Sequence, residues 1–166
     1  MATGRGNQLT KQVGEYRVAA ELCRRGFLAT TFTGNVPILD IVASNSAGRT
    51  LPIQVKTING GSWQFTITQY ADIRLVGRKQ VFKKMLPSTM PRLVCVLVLL
   101  DADGHDRFFI LPWRRLQFIL VNGYRDYLAA HGGKRPRKFQ SFHSIVKVRQ
   151  VARYENKWHI IERRLT

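Results

Sequence analysis

Two short stretches decide how this chain is to be read: Pro37-Ile38-Leu39-Asp40-Ile41-Val42 and, after the turn-forming Ser44-Asn45-Ser46-Ala47-Gly48, Leu51-Pro52-Ile53-Gln54-Val55-Lys56-Thr57. Each has the apolar density of a buried strand, and each carries polar groups that an apolar core rejects. Asp40 shares a strand face with Ile38 and Val42, while Leu39, Ile41 and Ala43 take the other. In the second stretch Leu51, Ile53, Val55 and Thr57 point one way, and Gln54 and Lys56 point the other. Burying a carboxylate or an ammonium costs several kcal/mol (roughly) unless something pairs with it. Polar residues that converge inside a core are therefore candidates for a metal and a reaction.

A third segment lies upstream. Thr10 to Arg25 reads as a helix, stopped by Gly26 at a position that favours a left-handed cap. On a wheel of about 100° per residue, Val13, Tyr16, Val18, Ala19, Ala20, Leu22 and Cys23 fill one arc. Glu15 falls inside that arc. Glu21 is opposite, where Arg17 and Arg25 meet it at helical spacing. A helix packed across the two strands can gather Glu15, Asp40, Gln54 and Lys56 in one place. That set offers carboxylates for a hard cation, an amide oxygen as a neutral ligand, and a lysine beside a reacting water.

Charge sets the partner class. Among 166 residues, 27 Lys and Arg oppose 10 Asp and Glu, a formal net charge of +17 that points to a polyanion such as nucleic acid. From Ile73 to Leu100 there are six basic residues and no acidic ones; from Pro112 onward there are thirteen basic and three acidic. Candidate phosphate contacts are Arg74, Arg78, Lys79, Lys83 and Lys84, and in a basic loop Lys134, Arg135, Arg137 and Lys138. A solvated face is the plainer alternative for each. Trp63, Phe65 and Tyr70 fit core positions better than base contacts.

Other chemistries find little support. Cys23 and Cys95 are expected to be reduced core residues, with no disulfide framework and no zinc spacing. His105, His131 and His143 lack close partners, and Asp101-Ala102-Asp103-Gly104 suits a hairpin turn better than a calcium loop. The longest apolar run, Leu93 to Leu100, is too short to span a bilayer, and a cytoplasmic protein without a membrane partner is expected.

The remaining elements complete a single domain over 1–166, with a basic extension from about 112. Phe27 to Phe32, Ile38 to Ala43, Leu51 to Thr57 and Trp63 to Thr68 read as strands. Asp72 to Leu86 reads as part helix and part loop. Leu93 to Leu100 reads as a strand covered on both faces, Arg107 to Leu111 as its hairpin partner, and Pro112 as the opening of a helix. The first nine residues read as a frayed end. Trp158 and Ile160 are expected to pack back on the core.

Gly14-Glu15 with Val18 and Ala19, then Asp40, then Gln54-Val55-Lys56-Thr57, resembles the PD-(D/E)XK nuclease superfamily, in its QXK form, and in particular Holliday-junction resolvase-like endonucleases. The likeness covers roughly the first 70 residues. It implies an α/β (α+β) restriction-endonuclease-like core, a mixed central sheet in αβββαβ order flanked by helices. It also implies a metal-dependent DNA endonuclease leaving 5′-phosphate and 3′-hydroxyl ends, of junction-resolving, homing or restriction type. Glu15, Asp40, Gln54 and the Val55 carbonyl would hold Mg²⁺ (or Mn²⁺), Lys56 would complete the catalytic set, and the chain would act as a homodimer or higher homo-oligomer on DNA. Gln54 stands where the family usually has a second acid, which removes one negative charge; QXK forms occur in methyl-directed restriction enzymes and some intron-encoded homing endonucleases. A non-catalytic DNA-binding module on the same fold, and a basic RNA-binding protein, are the competing readings.

Overall fold

The computed structural model describes residues 4–32 and 37–166. A five-stranded mixed sheet with helices on both faces forms the centre. Helix α1 (Gly4–Arg24) leads into β1 (Leu28–Thr31), β2 (Ile41–Ser44) and β3 (Thr50–Ile58). These three strands form an antiparallel meander, with Ile41 opposite Ile53. The sheet continues with β7 (Val94–Leu99), parallel to β3, and β8 (Arg107–Pro112), antiparallel to β7.

The connection from β3 to β7 departs from the expected αβββαβ order. It contains β4 (Trp63–Thr66), a single 3-10 turn (Ile67–Gln69) and the hairpin β5 (Ala71–Val76) and β6 (Lys79–Met85), with no α-helix. The mixture of helix and loop expected for Asp72 to Leu86 is thus a two-stranded ribbon. Its physical signal is local: β-branched and aromatic residues flank the two-residue turn Gly77-Arg78, and Gly77 sits at φ +59° as such turns require. The long helix α2 (Trp113–Ala130) comes only after β8, with Pro112 immediately ahead of its first residue. The chain ends with β9 (His143–Val146), which pairs with β4, then α3 (Val148–Val151) and α4 (His159–Leu165).

Strand alternation divides the interior into two cores. Ile41, Ala43, Leu51, Ile53, Val55, Val94, Val96, Val98 and Ile110 face α1 and α4, meeting Val18, Leu22, Trp158, Ile161 and Leu165. Cys95, Leu97, Phe109 and Leu111 face α2 and the β4–β9 ribbon, meeting Trp63, Phe65, Leu116, Leu120 and Val146. β7 feeds both, as its unbroken apolar run requires. Each such side chain contributes about 1.5–3 kcal/mol when fully buried. The basic segment from Pro112 onward is built into both cores: Leu116 and Leu120 enter one, Trp158 and Leu165 the other. Ile160 is partly buried against them.

Three local expectations shift. α1 begins at Gly4, so residues 4–9 are helical, and residues 1–3 lie outside the described residues. Thr10 is inside the helix, where its Oγ1 accepts a hydrogen bond from Asn59 Nδ2 at 3.2 Å. The buried stripe of α1 is narrow, Gly14, Glu15, Val18 and Leu22; Val13, Tyr16, Ala20 and Cys23 are exposed, so only Cys95 is a buried cysteine. β2 begins at Ile41 because Ile38, at φ +77°, leaves the extended path that Pro37 to Leu39 would have continued.

Candidate carboxylate and lysine site

Asp40 sits just before β2, still tied to the sheet by its N–H, which donates to Ile53 O at 2.9 Å. Its Oδ2 accepts from the Val55 N–H at 2.8 Å. The carboxylate is therefore held against the edge of β3 that the Val55 N–H faces. A strand residue presents its N–H and C=O to the same side, so the Val55 carbonyl also faces the Asp40 side.

α1 brings the second carboxylate. Gly14 allows the helix to approach β3 so closely that a Cβ there would lie 1.8 Å from Thr57 Oγ1. Glu15 is next in sequence and is buried. Its buried Oε1 meets no well-aligned hydrogen-bond donor among the described residues. Burial, and then the neighbouring Asp40 charge, raise the Glu15 carboxyl above its ordinary range, against the opposing pull of Lys11. Two close carboxylates with one unsatisfied oxygen demand a positive charge.

Lys11 answers part of that demand and is not foreshadowed by periodicity. Its Nζ lies 3.3 Å from Glu15 Oε1 and 3.2 Å from Asp40 Oδ1. Burial works against its charge, yet Asp40 and then Glu15 outweigh that effect and raise its pKa.

Gln54 and Lys56 follow on one face of β3. Gln54 Oε1 accepts a weak contact from the Cys95 thiol, Sγ at 4.0 Å. Burial pushes the Cys95 thiol up to about 12, with the Asp40 charge adding to the effect. Lys56 Nζ rests 4.8 Å from the centre of the Phe65 ring, a cation–π contact that seats it at the edge of the core. Burial lowers the Lys56 pKa; Asp40 opposes the shift and Lys11 reinforces it. Lys11 thus joins Glu15 to Asp40 beside the Val55 N–H, while Gln54 and Lys56 point to the other face of β3, with Cys95 and Phe65, where the Asp40 charge still acts on Lys56.

The donor set suits a hard divalent cation in its chemistry. Asp40 Oδ1, Glu15 Oε1, the Gln54 amide oxygen and the Val55 carbonyl are all oxygens, the ligand type that Mg²⁺ takes. Among the described residues no group of three or more His, Cys, Asp or Glu forms a metal cluster. A third protein ligand to such a cation would be an amide or backbone oxygen.

The basic candidates occupy a different region. Arg74, Arg78, Lys79, Lys83 and Lys84 lie exposed on the β5–β6 hairpin, and Lys134, Arg137 and Lys138 on the loop after α2. The two elements are joined: Gln80 N donates to Gly133 O at 2.8 Å, and Gln80 Nε2 donates to Phe139 O and Ser141 O at 2.6 and 3.0 Å. Arg78 stacks over Phe139 at 5.2 Å. Gln117 pins the hairpin base by donating to Tyr70 O and Leu86 O. These buried glutamines make one basic surface from two segments 50 residues apart (roughly), with backbone carbonyls satisfied inside. Arg135 is occupied otherwise, donating to Ser141 O at 3.2 Å and to His143 O and lying over Tyr127. Trp63, Phe65 and Tyr70 are buried, as core residues should be. The turn before β8 is a tight hairpin closed by Gly104 N donating to Asp101 O.

No helix among the described residues is long and apolar enough to cross a membrane. No protein-family model matches the sequence, and no curated protein matches it. Among solved structures the chain is similar to a bacterial homing endonuclease, I-Ssp6803I, at 15% identity and a TM-score of 0.48, over 94% of this chain and 93% of that one.

Proposed function

We propose that this protein is a metal-dependent DNA endonuclease of the PD-(D/E)XK type in its QXK form, hydrolysing phosphodiester bonds to 5′-phosphate and 3′-hydroxyl ends. The observation that supports the reading is the Asp40 carboxylate held on the Val55 N–H and joined to buried Glu15 through Lys11, with Lys56 within reach of the Asp40 charge, in a protein of net charge +17. Asp40, Glu15, the Gln54 amide oxygen and the Val55 carbonyl would hold Mg²⁺, which supplies charge neutralisation at a phosphodiester and makes water easier to deprotonate.

The chain's own groups do the rest. The Val55 N–H fixes the Asp40 carboxylate against β3. Glu15 brings a second carboxylate from α1, fixed by the Gly14 contact. Lys56, held on Phe65 and with its pKa lowered, orients water or stabilises negative charge at the phosphate. The hairpin and loop cations hold the DNA backbone, with Lys79, Lys83, Lys84, Lys134, Arg137 and Lys138 exposed to meet phosphates, Arg74 beside Asp72 and Arg78 over Phe139 exposed next to them, and Arg135 shaping the loop.

Cleavage of a four-way junction, a linear duplex, a supercoiled plasmid and a single strand in Mg²⁺ or Mn²⁺ tests this, beside Lys56→Ala. Metal-dependent cutting that disappears in the variant is expected, and the preferred substrate identifies the branch. A variant that cuts as well as wild type overturns the assignment of Lys56. One observation favours a non-catalytic DNA-binding module: Lys11 already neutralises part of the carboxylate pair, beside a neutral Gln54. DNA binding without any Mn²⁺ binding would select that reading.

A further inference from the structure

Lys11 stands one helical turn before Glu15 and touches both carboxylates through single oxygens, Asp40 Oδ1 at 3.2 Å and Glu15 Oε1 at 3.3 Å. The other Asp40 oxygen, Oδ2, is taken by the Val55 N–H. Lys11 therefore sits on the Asp40 oxygen left over for a cation, and on the Glu15 oxygen that meets no other donor among the described residues. An ammonium and a divalent cation cannot share those two oxygens at such distances without strong like-charge repulsion.

The side chain is built to leave. Its carboxylate partners are nearly enclosed, at 11% and 12% exposure, whereas Lys11 is 49% exposed. Its flexible four-carbon stem can carry the ammonium into solvent without moving the helix. The order Lys then Glu at four-residue spacing is also the less favourable one on a helix. The pair thus gains little as a helix-surface interaction, and its placement answers to Asp40.

We propose that Lys11 competes with the divalent cation for Asp40 Oδ1 and Glu15 Oε1, and so sets the metal affinity of the site. The inference rests on the metal-centre reading above. It makes Lys11 a positioning residue: it keeps the two carboxylates together and withdraws when a stronger cation arrives.

Calorimetric titration of the protein alone with Mn²⁺, at constant ionic strength and neutral pH, tests the competition in wild type, Lys11→Met, Lys11→Gln, Lys11→Arg and Asp40→Asn. Met and Gln keep helix propensity and remove the charge. Both are expected to bind Mn²⁺ tighter by about tenfold. Lys11→Arg, still cationic, should stay within about twofold of wild type, and Asp40→Asn should lose binding. Unchanged or weaker affinity in Lys11→Met and Lys11→Gln overturns the competition. If wild type binds and Asp40→Asn does not, that result leaves the metal centre standing; if no form binds Mn²⁺, both ideas fall together.

Discussion

Gly14 of α1 lies directly against Thr57 of β3: a Cβ on Gly14 would come within 1.8 Å of Thr57 Oγ1 and 2.8 Å of its Cβ and Cγ2. This contact sets the distance between the helix and the strand that carry the two halves of the site. Thr57 follows Lys56, and Gly14 precedes Glu15, so this close approach is one residue from each of those side chains. Thr57 Oγ1 is buried without a hydrogen-bond partner among the described residues, a cost accepted at the point of contact.

Gly14→Ala is accordingly expected to destabilise the fold by about 3 kcal/mol, because backbone and β-branched side chain must both give way. Thr57→Ala in the same chain removes Oγ1 and Cγ2 but leaves a Cβ at 2.8 Å, so it should restore only part of the loss. Urea melts of the two variants and their combination measure this. A Gly14→Ala protein as stable as wild type would show that the helix can lift off freely.

Much of this arrangement was legible because strands and helices have fixed periods. Asp40, Gln54 and Lys56 interrupt apolar runs and Glu15 interrupts the apolar arc of its helix, so phase singled the four out, but it did not gather them: Gln54 and Lys56 lie with Cys95 and Phe65 on the face away from α1. Lys11 could not be found this way: it lies at the exposed margin of the α1 stripe, and only the tertiary position of Asp40 gives it a partner. The hairpin at Ala71–Val76 and Lys79–Met85 was obscured by its charges, which sit outside the core and dilute the alternation; its turn, Gly77-Arg78, was the remaining signal. The narrow burial of α1 was hidden too, since Val13 and Tyr16 satisfy the helical period while the sheet reaches only Gly14, Glu15, Val18 and Leu22.

Lys56 should cost stability through its burial. Burial lowers its folded pKa beneath the unfolded 10.5, so its charge disfavours folding at neutral pH. Wild-type stability should then rise as pH climbs through the folded pKa toward 10.5, where both states lose the proton. Lys56→Met should lack that rise, melt about 3 °C higher at pH 7, and have no cleavage activity. Differential scanning calorimetry from pH 7 to 10 checks it; a lower melting temperature in the variant would mean that the Phe65 contact outweighs burial.

Glu15 predicts the opposite dependence on the acid side. Its folded pKa is raised above 4.5, so the folded state binds the proton more tightly than the unfolded chain. That contribution is complete below pH 4.5 and lost as pH rises through the folded pKa. Glu15→Gln removes it, so the variant's stability relative to wild type should improve from pH 4 to 7 (roughly) and then level. Paired denaturant melts without divalent metal measure the difference. A gap that stays constant across this range would mean that Lys11 cancels the burial of Glu15.

The basic surface separates into cations that meet solvent and one that holds the loop. Lys83 and Lys84 are exposed on β6, whereas Arg135 donates to the carbonyls of Ser141 and His143. Each phosphate contact should contribute about 0.9 to the slope of log affinity against log salt. Lys83→Ala and Lys84→Ala should each flatten that slope by about this amount where they meet DNA, leaving the melting temperature unchanged. Arg135→Ala should leave the slope alone and lower stability by about 1–2 kcal/mol, since two carbonyls lose a charged donor. Fluorescence anisotropy across a salt series, with melts of the same variants, distinguishes the classes. A slope change in Arg135→Ala equal to that of Lys83→Ala would place its guanidinium on a phosphate, and the loop's rigidity would then rest on Gln80.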